Sequence, residues 1–160
     1  MRPVIEVRFI KGRGLVSDII AFDTNSHFSH VEFGTPEGTW IGAHLDGGVE
    51  ERPADYCDPV RDYRYEIPVT DAQLADWLKT LRADVGTQYN VADIAGLLLH
   101  DRALNNTHAV ICSEWATEKL IEWFGAPKVL NVLPQRAYLI TPEMLHLSPI
   151  FVGRMTYRKD

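Results

Sequence analysis

The two cysteines, Cys57 and Cys112, carry the most nucleophilic side chains of this sequence. A cysteine attacks as the thiolate, which forms more readily where backbone N–H groups or positive charges stabilise the anion. Cys112 stands where a long helix is predicted to begin, and the free N–H groups and dipole of a helix start favour an anion. Cys57 lies beside Asp58, whose carboxylate disfavours a thiolate. Cys112 is therefore the candidate nucleophile, with a small buried packing residue as the alternative.

His30 is the candidate base, because it begins the apolar pattern of residues 29–33 and a strand holds its side chains rigidly. In a strand, His30 and Glu32 share one face. If the following turn is centred on Glu37, paired residues have numbers that sum to 74, and His44 lies directly opposite His30. His44 would then orient the imidazole of His30, as the third member of a triad does. A shift of one residue would turn His44 to the other face, and a half-buried packing histidine is the alternative for His30.

The elements that must position these residues follow from apolar periodicity and from turn and capping signals. Strands are predicted at residues 4–10, 30–33, 39–43, 63–69 and 151–157. Helices are predicted at residues 15–22, 70–81, 90–100 and 112–124, with a short one from 141. Thr70 opens a capping box, and Gly125 is a helix stop. Because hairpins outnumber βαβ units, the predicted fold class is α+β.

Bulk composition limits the possible functions. The chain has 160 residues, the size of one domain, so we expect residues 1–160 to form a single unit. The formal net charge of -6 argues against nucleic acid as a partner. No apolar run is long enough for a transmembrane helix and no signal peptide is evident, so a cytoplasmic location with free thiols is expected.

Several short segments, in a fixed order, resemble those of one known family. Residues 28–33 (FSHVEF) are similar to the SHVGI-type strand, and residues 111–115 (ICSEW) to the CSEL-type helix start, of the circularly permuted NlpC-like hydrolases of the papain fold. This group includes the YiiX/YaeF-like amidases and, more distantly, the lecithin–retinol acyltransferase relatives. Residues 86–90 and 141–145 resemble further segments of this group, and residues 47–53 resemble a segment of its bacterial and phage-borne members. The resemblance extends from about residue 14 to residue 152.

The resemblance implies a permuted papain-like fold, an antiparallel sheet or partial barrel packed against helices. It implies Cys112 as the nucleophile and His30 as the base. In the acyltransferase relatives the third residue is a histidine on the next strand, a place that His44 fits, and Glu32 or Glu50 could serve instead. The expected cleft-lining residues, with core packing as the alternative for the aromatic ones, are Trp40, Tyr89, Ser113 and Trp115.

Three positions depart from the family pattern, and they leave the substrate class open. Glu32 replaces a small residue, Asn90 replaces an aspartate and Trp115 replaces a leucine. Glu32 in particular would narrow the cleft or add a charge beside the base.

The implied activity is a thiol-dependent hydrolase, an amidase, peptidase or acyl-ester hydrolase that works through a cysteine acyl-enzyme without a metal or cofactor. The expected substrate is a small molecule, a peptide or a lipid-acyl group, and the residues indicate no oligomeric state. Acyl transfer to an acceptor other than water stays open. So does a non-enzymatic binding or structural protein on the same scaffold, for example one that a phage carries. A metal site of His100, His108 and Cys112 is a further alternative, although no CxxC or HExxH pair accompanies it.

Overall fold

An antiparallel sheet forms the centre of the protein. The computed structural model describes residues 2–13, 26–44, 47–88, 112–130 and 140–160. In these ranges six strands pair in the order β4-β3-β2-β1-β5-β6. Their bounds are β1 Val4–Lys11, β2 His30–Gly34, β3 Thr39–His44, β4 Gly48–Pro53, β5 Arg61–Pro68 and β6 Met155–Lys159. Each neighbouring pair runs antiparallel, which agrees with the predicted α+β class.

Helices cover one face of the sheet. The described helices are α1 Asp71–Ala83, α2 Cys112–Phe124, α3 Ala126–Val129 and α4 Pro142–His146, with a 3-10 turn at Pro149–Phe151. The capping box predicted at Thr70 is present, because the Thr70 hydroxyl accepts from the Gln73 N–H and the Gln73 side chain accepts from the Thr70 N–H. The bounds of α2 are those predicted, and Gly125 follows it with a φ of +84°.

The two faces of the sheet differ in polarity. One face is apolar and packs against α1 and α2, as the contacts of Phe33 with Trp77 (ring centroids 5.0 Å apart) and with Trp115 (5.5 Å) illustrate. On the other face, Arg8 and Glu32 are buried although they are charged. Side chains alternate between the faces along each strand, so the polar residues of β1, β2 and β3 come together on one side.

The β2–β3 hairpin has the predicted register. Phe33 pairs with Ile41 and Gly34 with Trp40, so the numbers of paired residues sum to 74. On the other side of β2, Ile10 pairs with His30 and Arg8 with Glu32. The hairpin therefore turns His30, Glu32 and His44 toward the polar face.

Several elements differ from the prediction. Strand β4 was not predicted, because the charged residues at 50–52 conceal its short apolar signal. Strand β6 begins at Met155 rather than at residue 151, since Ser148 caps a 3-10 turn in front of it. The predicted helices at 15–22 and 90–100 lie outside the described residues.

Among the described helices, none has the length and apolar character that a bilayer crossing requires.

Candidate functional site

His30 is the first residue of β2, and its side chain is 14% exposed. Its imidazole ring lies 4.6 Å from that of His44, centroid to centroid. Its Nε2 atom lies 3.5 Å from Oε2 of Glu32, two residues further along the same strand. Gly42 on β3 leaves room for the ring, because a Cβ atom at that position would lie 3.0 Å from His30 Nε2. The strand pair thus fixes one edge of the imidazole.

Cys112 reaches the same histidine from the other half of the chain. It is the first residue of α2 and is 5% exposed. Its Sγ atom lies 3.8 Å from the carbonyl oxygen of Ser29, the residue before His30, and its side chain interacts with the His30 imidazole. The start of the helix therefore places a thiol beside the first residue of β2.

The charges around His30 favour its protonated form. Burial alone would lower the pKa of His30, but attraction to the neighbouring Cys112 and Glu32 side chains outweighs it and raises the pKa to about 10. Burial would likewise raise the pKa of Glu32, whereas its attraction to His30 and to the guanidinium of Arg8 lowers it. The surroundings thus favour a positively charged His30 beside an ionised Glu32.

Glu32 is held by partners on two other elements. Its side chain is fully buried, and Oε1 accepts a hydrogen bond from Nη1 of Arg8 at 2.9 Å. Its Oε2 atom accepts from the hydroxyl of Tyr56 at 2.7 Å. Tyr56 lies in the loop between β4 and β5, and its ring stands edge-on to His44 at 5.5 Å. A buried carboxylate needs such donors to remain ionised.

The ion pairs continue away from His30. Arg8 also contacts Asp62 on β5, with Nη2 3.1 Å from Oδ2, and Arg64 contacts the same Oδ2 atom at 2.9 Å. The Trp40 ring lies against both guanidinium groups, 4.9 Å from Arg8 and 5.2 Å from Arg64. The polar face of the sheet therefore carries a chain of alternating charges that ends at His30.

The sequence-predicted site residues fall into four groups. Cys112, His30, Glu32 and His44 come together. Glu50 lies on β4 next to Gly42 in the sheet, but its carboxylate pairs with Arg52 at 2.7 Å. Tyr89, with the predicted metal ligands His100 and His108, lies outside the described residues.

The remaining predicted cleft residues are buried. Ser113 is 2% exposed and Trp115 is 3% exposed. The indole N–H of Trp115 donates to Asp84 at 2.8 Å, and the ring belongs to the core beneath the sheet. Trp40 is 4% exposed and lies between the two arginines.

Sequence reasoning missed Arg8, Asp62 and Tyr56 as neighbours of the site. Arg8 could have been identified from its position in the middle of an alternating strand. A charged residue that is buried there, on the same face as His30, requires a counter-ion. Tyr56 and Asp62 carried no local signal, since only the pairing of β1 with β5 brings Asp62 to Arg8.

His30, Glu32 and His44 can also serve as metal ligands. One ligand atom from each lies within 4.8 Å of the other two. Two imidazoles and a carboxylate are ligands that zinc and similar ions accept.

Comparison with known proteins gives one informative result. The chain matches no family model and no curated protein sequence. Among solved structures it is similar to the metalloprotein YiiX of Escherichia coli O157:H7 (DUF1105), with a TM-score of 0.53 and 13% sequence identity over 97% of this chain and 95% of that one. At this identity the likeness concerns the fold, and the fold of this chain resembles that of YiiX along nearly its whole length.

Proposed function

We propose that this protein is a thiol-dependent hydrolase in which Cys112 attacks an amide or ester carbonyl and His30 is its acid–base partner. The observation that carries the proposal is that the start of α2 places the Cys112 thiol 3.8 Å from the carbonyl oxygen of Ser29, the residue before His30, where the thiol interacts with the imidazole. A nucleophile, a base and a group that orients the base are the parts that covalent acyl transfer requires.

Protein groups supply each part of the first step. The thiolate sulfur of Cys112 forms a bond to the carbonyl carbon, and the electron pair of the C=O bond moves to oxygen. Backbone N–H groups at the start of α2 stabilise the resulting oxyanion. His30, protonated at neutral pH, gives its proton to the leaving nitrogen or oxygen as the bond to carbon breaks. The product is a thioester on Cys112.

The second step regenerates the enzyme. His30, now neutral, takes a proton from water as the water oxygen attacks the thioester carbon. The thiolate leaves, and the carboxylic acid product departs. An acceptor other than water would make the same site an acyltransferase, and the substrate can be a peptide, a small amide or a lipid ester.

Glu32 is the third residue that the geometry favours. Its Oε2 atom lies 3.5 Å from His30 Nε2, and Arg8 and Tyr56 keep the carboxylate in place. The His44 ring packs against the His30 ring. Glu50 is paired with Arg52. We therefore assign the proposed triad to Cys112, His30 and Glu32.

The fold supports this assignment through the order of its elements. The histidine strand precedes the cysteine helix, as in permuted papain-like hydrolases, and the fold is similar to that of YiiX. We propose that the sheet and α2 form such a permuted papain-like core.

An acyl-enzyme trapping experiment tests the function. The protein is incubated with p-nitrophenyl acetate, quenched in acid and digested, and the peptides are examined by mass spectrometry. We expect one acetyl group on Cys112, retained in Cys57→Ser and lost in Cys112→Ser. Acetylation that falls on Cys57, or on neither thiol, would favour a non-enzymatic binding protein on this scaffold.

A further inference from the structure

We propose that His30, Glu32 and His44 form a binding site for a divalent transition-metal ion of the zinc class, and that an ion there suppresses the chemistry of Cys112. Metal binding is independent of the proposed hydrolase activity, whereas the suppression rests on it. The site uses the Nε2 atom of His30, which lies 3.5 Å from Oε2 of Glu32.

The separations of the three ligand atoms suit a small ion. Metal bonds of about 2.0–2.1 Å in a tetrahedral site place neighbouring ligand atoms roughly 3.4 Å apart. His30 Nε2 and Glu32 Oε2 already lie 3.5 Å apart. No pair of ligand atoms in the cluster exceeds 4.8 Å, so a shift of about 1.4 Å or less brings each pair to about 3.4 Å.

The surroundings resemble the outer shell of a metal site. Arg8 and Tyr56 hydrogen-bond the carboxylate of Glu32 and fix its orientation, as groups around metal ligands commonly do. The positive charge of Arg8 opposes a cation, but Asp62 lies 3.1 Å from that guanidinium and offsets it. Gly42 leaves open the space beside His30 Nε2, which a Cβ atom would approach to 3.0 Å.

The metal and the acid–base role of His30 exclude each other. An ion on Nε2 occupies the nitrogen that faces Glu32 and draws the carboxylate into its own coordination. The 3.5 Å contact between His30 and Glu32, which orients the imidazole in the proposed triad, is then replaced by bonds to the ion. The ion would therefore act as a reversible inhibitor.

Direct binding is measured on a thiol-free protein. A Cys57→Ser/Cys112→Ser double variant is titrated with Co²⁺ and followed by visible absorption, so that every band reports nitrogen and oxygen ligands. We expect one Co²⁺ per chain, displaced by one equivalent of Zn²⁺. His44→Gln in this background should bind at least about 100-fold more weakly, since loss of a direct ligand exceeds the loss from an outer-shell group.

Matched histidine variants locate the site. His27→Gln, which changes a side chain that is 70% exposed, should retain full affinity. Circular dichroism verifies folding, and His30→Gln replaces His44→Gln if the latter does not fold. Unchanged Co²⁺ affinity in His44→Gln and His30→Gln, or loss of affinity in His100→Gln or His108→Gln instead, would overturn the site.

Suppression is measured separately on Cys57→Ser, in which Cys112 is the remaining thiol. We expect saturating Zn²⁺ to slow iodoacetamide labelling of Cys112 at least tenfold, with recovery on adding EDTA, and His44→Gln to need about 100-fold more Zn²⁺. Equal sensitivity of both proteins would show that the ion binds the thiol directly, which overturns the suppression. Slow labelling without metal would count against the hydrolase and leave the metal site standing.

Discussion

The guanidinium of Arg8 and the carboxylate of Glu32 face each other across the β1–β2 pair, 2.9 Å apart and at most 2% exposed. Ion pairs that are removed from water are sensitive to the loss of one partner, because the other charge remains buried. Glu32 is also the neighbour of His30. This pair therefore links the stability of the sheet to the geometry of the proposed active site.

Replacing Arg8 tests the strength of this link. Arg8→Met leaves Glu32 and Asp62 buried with fewer donors, and we expect a loss of about 3–5 kcal/mol in the free energy of unfolding. Arg64→Met is the matched control, since that side chain is 33% exposed and should cost less than about 1 kcal/mol. Urea unfolding of both variants measures the difference. Similar small losses would mean that the buried pair is not important for stability.

Tyr56→Phe removes the other donor to Glu32. Its hydroxyl lies 2.7 Å from Oε2, and a hydrogen bond to a charged group contributes about 1.5–3 kcal/mol. We expect a loss of that order in urea unfolding, together with slower alkylation of Cys112, because Glu32 is freer to leave His30. Tyr157→Phe, at a residue that is 45% exposed, should change neither quantity. An unchanged alkylation rate in Tyr56→Phe would show that Tyr56 does not influence the reactivity of Cys112.

The sequence predicted those parts of the site that depend on local patterns. The β2–β3 register followed from the period of two along each strand and from the turn at residues 34–38. The sequence could therefore predict that His30 lies opposite His44. The start of α2 at Cys112 followed from its apolar stripe and from Gly125 at its end.

The parts of the site that depend on pairing between distant strands could not be predicted from the sequence. Arg8 meets Asp62 because β1 lies between β2 and β5, and no local pattern encodes which strands become neighbours. The core position of Trp115 also depends on how α2 packs against Phe33. Glu32 was considered as a third residue, but its preference over His44 required the 3.5 Å contact with His30.

Gly42→Ala tests the space beside the imidazole. The new Cβ would lie 3.0 Å from both His30 Nε2 and the Cβ of Glu32, so the ring must shift. We expect alkylation of Cys112 to slow at least fivefold and stability to fall by about 1–3 kcal/mol. The control, Ala43→Gly, lies on the same strand with its side chain in the core. It should lose about 1 kcal/mol yet alkylate at the normal rate; equal slowing of both variants would point to general loosening instead.

His146 makes stability depend on pH independently of the site. It packs against Phe9 and Phe28, and its Nε2 is hydrogen-bonded to the Tyr65 hydroxyl at 2.6 Å. Burial lowers the pKa of His146 below 6.5. Below pH 6.5 the unfolded chain therefore takes up a proton that the folded protein resists, so this contribution to stability is complete above pH 6.5 and is lost as the pH falls.

His146→Gln removes that contribution. Between pH 7 and pH 5 the wild type should lose up to about 2 kcal/mol more than the variant in the free energy of unfolding. Urea unfolding at both pH values measures the difference. If the two proteins lose stability in parallel, His146 does not control this part of the pH response.

The most direct test of the central claim is the alkylation rate of Cys112 at pH 7, with and without His30. Iodoacetamide is applied to Cys57→Ser, to Cys57→Ser/His30→Gln and to Cys112→Ser, and the modified peptides are quantified over time. An ordinary thiol is about 3% thiolate at pH 7, and burial raises the pKa of Cys57 further. The account predicts that Cys112 reacts at least tenfold faster than Cys57 and slows at least tenfold in His30→Gln. Equal rates at the two cysteines, unaffected by the loss of the imidazole, would contradict it.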